Sequence, residues 1–261
     1  MSCLACHHAF VPPFSWRDLF TVSVLRSEVL LPVEQWLCVQ CRSKLVLLRD
    51  GCLLCSRSFH DLDSRYVAEY RGGQICFDCR RWLEWEEAQQ SGRVLTWNRS
   101  VAQYNAWMQD LLTRYKFRGD ERLRYFFASL LYSHWNGMAQ QMDKVDVIAP
   151  IPLSAKRLKE RGFNQSALVA RLLADKIGIA YTEKLLLRRD GEDKQSKKGR
   201  EERLKEMLQK FLNNPEQNVD IHGKNILLVD DIYTTGATLY AAAYLLKKRG
   251  AKHIYAYTLA R

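Results

Sequence analysis

The sequence predicts an α/β domain, a parallel sheet flanked by helices, preceded by a small metal-binding module. Three observations carry that prediction. Residues 226–229 are apolar without alternation, as a strand covered on both faces requires, and they deliver Asp230 and Asp231 to a short turn and a helix-forming stretch reaching Lys248. Residues 145–149 repeat the buried-strand pattern and stop at Pro150. All eight cysteines fall in four Cys-x-x-Cys pairs within the first 79 residues.

The cysteines come first along the chain. Two thiolates two residues apart can wrap one tetrahedral ion from a tight turn, and two such turns complete a four-sulfur site, so four pairs make two structural zinc sites. Sequential pairing joins Cys3, Cys6, Cys38 and Cys41 in one site and Cys52, Cys55, Cys76 and Cys79 in the other. Interleaved pairing is the alternative; sequential pairing is expected because no loops need cross. Eight sulfurs leave no vacancy for His7 or His8, which read as solvated. Closed sites offer no open position for catalysis, so the ions are expected to fold residues 1–80 and present them to nucleic acid, a partner protein or the neighbouring domain. Redox chemistry at one pair is the remaining alternative.

Residues 81–92, with Trp82, Trp85 and a run of acids, read as a short helix or linker, and residues 93–261 as the main domain. Within it, residues 93–98 can form the first strand. Residues 101–117 place Tyr104, Trp107, Leu111, Leu112 and Tyr115 at helical spacing, so these side chains read as core. A basic and aromatic turn over 114–120 leads to a second helix over 121–135. After the strand at 145–149, Pro150 and Pro152 break the chain ahead of a basic segment at 156–165, and a loop there lies on the ligand side of a parallel sheet. A solvated charged turn before a helix is the plain alternative. Residues 188–205 are densely charged with no apolar stripe before Leu204, in keeping with a mobile lid or a disordered surface loop. A strand over 253–259 completes the domain.

The turn after Asp231 carries its own chemistry. Gly236 lets the backbone approach an anion, the Thr234 and Thr235 hydroxyls donate hydrogen bonds, and the helix start adds unpaired amides and a positive dipole end. A phosphate fits there. Asp230 and Asp231 repel phosphate but accept from sugar hydroxyls or a hydrated metal ion. Phosphate at the turn and ribose at the acids describe a phosphorylated pentose. The stretch resembles the signature of type I phosphoribosyltransferases, which bind 5-phosphoribosyl 1-pyrophosphate (PRPP) with Mg²⁺. An Asp-rich turn in some other α/β protein has no reason to combine adjacent acids with Thr-Thr-Gly-Ala-Thr. The resemblance implies that Asp230 and Asp231 hold the ribose hydroxyls and that Thr234, Thr235, Gly236, Ala237 and Thr238 bind the 5-phosphate. It further implies that Lys156, Arg157 and Arg161 touch the pyrophosphate, with donors from Asn164 and Gln165. A flexible loop with Lys194, Gln195, Ser196, Lys197 and Arg200 is then available to close over it.

Taken in order, the four cysteine pairs, Tyr115-Lys116-Phe117-Arg118-Gly119-Asp120, Arg161-Gly162-Phe163-Asn164-Gln165, Gln195-Ser196-Lys197-Lys198 and the PRPP turn resemble the ComF family over essentially the whole chain. That resemblance implies a protein of natural transformation, where incoming DNA reaches the cytoplasm as a single strand and meets the uptake helicase ComFA. It implies no settled reaction. Many phosphoribosyltransferases carry a hood that selects the acceptor, and the cysteine module takes its place here. The expected function is therefore a competence protein handling single-stranded DNA with a PRPP-binding domain. Phosphoribosyl transfer to an unidentified acceptor is the alternative, and no catalytic residue is assigned.

Composition agrees with this organisation. A chain of 261 residues with 47% hydrophobic content can core one ordinary domain plus a module. The net charge of +11 predicts attraction to polyanions without choosing between a phosphorylated sugar and nucleic acid. With no secretion leader and no apolar run of membrane-spanning length, a cytoplasmic protein without membrane insertion is expected.

Overall fold

In the computed structural model, which describes residues 1–13, 30–60, 62–190, 208–214 and 219–261, the expected parallel sheet is present. The chain begins with the short helix α1 (Val39–Arg42), an antiparallel hairpin of β1 (Val67–Tyr70) and β2 (Gly73–Cys76), and α2 (Phe77–Ala88). Then come β3 (Trp97–Ala102), α3 (Ala106–Phe117), α4 (Leu123–Ser133), α5 (Trp135–Ala139) and β4 (Val147–Pro150). Helices α6 (Ala155–Arg161) and α7 (Gln165–Ile177) lead to β5 (Ala180–Tyr181). A second antiparallel pair joins β6 (Leu186–Arg188) to β7 (Phe211–Asn213), and β8 (Asn225–Ile232), α8 (Ala237–Lys248) and β9 (His253–Ala260) come last. The central sheet runs β3-β9-β8-β4-β5 and every pairing in it is parallel. Among the described residues no helix is long and apolar enough to cross a membrane.

The unbroken apolar run of β8 has a direct cause. Successive side chains of a strand point to opposite faces, and both faces of this strand are covered. Leu227 and Val229 enter a core with α3, α4 and α7, whereas Ile226 and Leu228 enter a second core with α2 and α8. The cysteines are divided the same way. Cys3, Cys38 and Cys41 belong to the first core, and Cys52, Cys55, Cys76 and Cys79 to the second. The cysteine-bearing segments therefore straddle the sheet and complete both of its hydrophobic layers.

Three elements depart from the sequence-based expectation, each for a local reason. The first strand is displaced from residues 93–98 to Trp97–Ala102. Buried Glu86 takes the N–H groups of Val94 (2.8 Å) and Leu95 (3.4 Å), while Arg93 donates to the carbonyls of Leu95 and Thr96. Helix α3 starts at Ala106 because Asn105 caps it, accepting from the Met108 N–H at 2.9 Å. The basic segment expected as a loop contains helix α6, capped by Ser154 and ended by Gly162 at φ +79°, after which Asn164 caps α7.

Arg114 joins the first cysteine cluster to the sheet domain. Its guanidinium donates to the carbonyls of Ala5 (2.6 Å) and Leu4 (2.9 Å), meets His7 Nε2 at 3.0 Å and pairs with Asp120 at 2.9 Å. His7 is exposed, as its reading required, yet it is not fully free of the protein. The side chains of Arg114 and Asp120 are only 9% and 14% exposed. Removing Arg114 leaves the carbonyls of Leu4 and Ala5 without this donor and leaves Asp120 to the more exposed Arg122, which pairs with it at 2.9 Å. Arg114→Met is therefore expected to destabilise the protein by about 2–4 kcal/mol in denaturant unfolding; a loss below about 1 kcal/mol contradicts the role assigned to this side chain.

Candidate functional site

β8 is the longest strand of the sheet together with β9, and its C-terminal end carries the two acids. Both are half-buried. Asp231 is paired with Lys116 from the last turn of α3, Nζ to Oδ2 at 2.8 Å, with 14% and 17% of the two side chains exposed. Asp230 accepts from the Ser166 hydroxyl in the first turn of α7 at 3.0 Å and from the Asp231 N–H at 2.9 Å. Burial and then the charge of Asp231 push the Asp230 carboxyl up to about 7, against the opposing pull of the Asp231 N–H, Lys116 and Ser166. Arg161 ends α6 with its guanidinium over the Phe117 ring at 4.9 Å and donates to Gln165 at 2.9 Å. Burial lowers its pKa, and the charges of Asp231 and Asp230 act in the opposite sense. Three helices and a strand end thus contribute two carboxylates, two cations and a hydroxyl to this region.

Beyond the acids the chain turns through Tyr233, Thr234, Thr235 and Gly236 into α8. Tyr233 is buried while the two threonines are exposed. Gly236 is the N-cap of α8 at φ +85°, a conformation that disfavours any side chain. A Cβ there also clashes with Tyr233 Oη. Ala237 and Thr238 form the first helical turn, half-buried. Exposed hydroxyls, a left-handed glycine and an uncapped helix start are the features by which a turn can receive an anion.

The eight sulfurs form two groups, Cys3, Cys6, Cys38, Cys41 and Cys52, Cys55, Cys76, Cys79, with all sulfurs of a group within 4.8 Å of one another. The sequential pairing is the one found. Sulfur separations of 3.7 Å (Cys6 to Cys38) and 3.6 Å (Cys55 to Cys76) far exceed a disulfide bond and are close to the edge, about 3.8 Å, of a tetrahedron with 2.3 Å metal–sulfur bonds. Backbone N–H groups aim at sulfur in both groups, Cys38 at Cys3 (3.4 Å) and Cys76 at Cys52 (3.3 Å). Burial alone raises the Cys3 thiol, but backbone donors led by Cys38 bring it down to about 7. Cys41, by contrast, is raised by burial and by its three neighbouring thiols. Four thiolates at such distances need a cation to coexist, and both groups can hold a metal ion.

The phosphoribosyl transferase domain family matches residues 164–261. Over 263 residues, 99% of this chain and 94% of the relative, the chain is 37% identical to Competence protein ComFC of Bacillus subtilis (strain 168). The chain belongs to the ComFC family of competence proteins. It is also 35% identical over 226 residues, 84% of this chain and 93% of the relative, to Competence protein ComFC of Streptococcus pneumoniae. A 38-residue stretch, 15% of this chain and 14% of the relative, is 60% identical to Ribose-phosphate pyrophosphokinase of Thermococcus kodakarensis.

In this ComFC-family chain the acids lie near the end of β8, the turn follows directly into α8, and Arg161 ends α6. Lys156 and Arg157 occupy the first turn of α6, Lys156 being exposed with its N–H donated to Asp190 at 2.8 Å. Lys194, Gln195, Ser196, Lys197 and Arg200 lie outside the described residues. Tyr115 is buried as expected, its hydroxyl donating to the Gln165 carbonyl, whereas Tyr104 is exposed. Sequence reasoning passed over Lys116 and Ser166 as partners of the acids. Their only signals were a cation beside a buried tyrosine and a hydroxyl just past an Asn cap.

A carboxyl held near 7 in the fold and near 3.8 when unfolded favours the folded state fully below about pH 3.8, and that contribution is lost as pH rises through about 7. The ligand-free protein should accordingly lose thermal stability between about pH 4 and about 7, and Asp230→Asn should flatten this part of the curve. Superimposable native and variant pH profiles contradict the assigned environment of Asp230.

Proposed function

We propose that this chain acts in natural transformation, handling incoming single-stranded DNA in the cytoplasm beside the uptake helicase ComFA, and that its domain binds PRPP with Mg²⁺. The observation that carries the reading is 37% identity to a ComFC over 99% of this chain and 94% of that protein. The turn at Thr234 to Thr238 supports phosphate binding, and the paired acids support binding of ribose hydroxyls and of Mg²⁺ that keeps most of its ligands from water and phosphate. Lys156, Arg157 and Arg161 on α6 are the cations assigned to the pyrophosphate. The sulfur spacing of both cysteine groups supports Zn²⁺, with a structural role because each group supplies four ligands.

Two features support single-stranded DNA as a partner. The chain carries a net charge of +11, and Phe117 is 68% exposed at the mouth of the site with the Arg161 guanidinium over its ring. An exposed ring beside a cation can stack a base while the cation meets phosphate. Fluorescence anisotropy with a labelled oligothymidylate tests the reading. The expected log–log plot of affinity against salt is linear, with a slope of roughly −0.7 for each phosphate contacted. Absence of binding, or binding insensitive to salt, contradicts it.

A further inference from the structure

Helix α2 connects the second cysteine cluster to the turn that receives phosphate. It begins directly after Cys76 and carries Cys79 in its first turn. Near its other end, buried Glu86 pairs with Arg93 and accepts from the Val94 N–H, so the helix is fixed at both ends. Trp82 lies between them, three residues after Cys79 and four before Glu86, hence on the same buried face. Its indole stacks flat on Tyr240 of α8, with centroids 3.9 Å apart and planes 7° apart. Its Nε1–H donates to the Thr235 carbonyl at 2.8 Å.

That bond bears on the direction of an anion donor. The Thr235 carbonyl and the Gly236 N–H share one peptide plane and point in opposite directions across a trans bond. With the carbonyl drawn onto buried Trp82, the trans geometry aims the Gly236 N–H away from that side chain; Gly236 is itself buried, and Thr234 and Thr235 just before it are exposed. A carbonyl free to rotate can instead face the phosphate and repel it. The packing around Gly236 is tight as well. A Cβ on this residue stands 3.2 Å from Trp82 Nε1 in addition to its clash with Tyr233.

We propose that Trp82 is a positioning residue for phosphate binding: its indole N–H fixes the Thr235–Gly236 peptide so that the turn presents a donor to the anion. This rests on the reading that the turn binds the 5-phosphate of a phosphoribosyl ligand. The test compares ribose 5-phosphate binding to the full-length, metal-loaded native chain and to Trp82→Phe, which keeps a ring against Tyr240 and removes the donor. Affinity should fall roughly three- to tenfold, the loss of about one hydrogen bond, with metal content close to native and the thermal midpoint lowered by the smaller buried ring but the variant still folded. Native-like affinity in the variant overturns the positioning role while leaving the phosphate reading intact; no binding by the native chain defeats both. Should Trp82→Phe fail to fold, the native indole decides. Its ¹⁵N–¹H resonance should shift on saturation with ribose 5-phosphate, and an unmoved resonance overturns the proposal.

Discussion

Two carboxylates on consecutive residues, at the end of a strand buried on both faces, cannot both stay charged unless something answers them. This constraint organises the site around β8. Lys116 answers Asp231 from α3, Ser166 answers Asp230 from α7, and Arg161 adds a second cation from α6. The answer is incomplete, because Asp230 still has its pKa raised to about 7. A site that keeps such a cost in the free protein is prepared for a ligand that relieves it. On the proposed reading, sugar hydroxyls donating to the carboxylates, or a magnesium ion carried in with a diphosphate, would supply what the protein withholds.

The cysteine clusters enter the same design as structural members of the sheet domain. One lies in each core, so metal binding is coupled to the burial of both sheet faces. The first reaches the sheet domain through Arg114, which holds the carbonyls of Leu4 and Ala5 and the turn residue Asp120. The second reaches the phosphate turn through α2 and Trp82.

Much of this was legible in the sequence where local chemistry decides structure. The apolar run before Asp230 could only be a doubly buried strand, and the stretch from Ala237 to Lys248 is a helix over the expected residues. Cys-x-x-Cys arithmetic gave the two sulfur groups, because two residues of spacing fix the local turn. What was not legible depends on partners distant in sequence. Glu86 displaces the first strand by taking backbone N–H groups eight and nine residues ahead. Trp82 looked like a linker aromatic, and its function in the turn appears only once residue 235 is brought against it. Helix α6 had visible signals in Ser154 and Gly162, but its dense charge made a loop the simpler reading.

Calorimetry of Mg²⁺-PRPP binding to the zinc-loaded chain, alongside the Asp230→Asn, Asp231→Asn double variant, tests the central claim most directly. The account predicts saturable binding by the native chain that is abolished in a folded double variant. Absence of binding by a folded native chain, or unchanged binding without the two carboxylates, contradicts it.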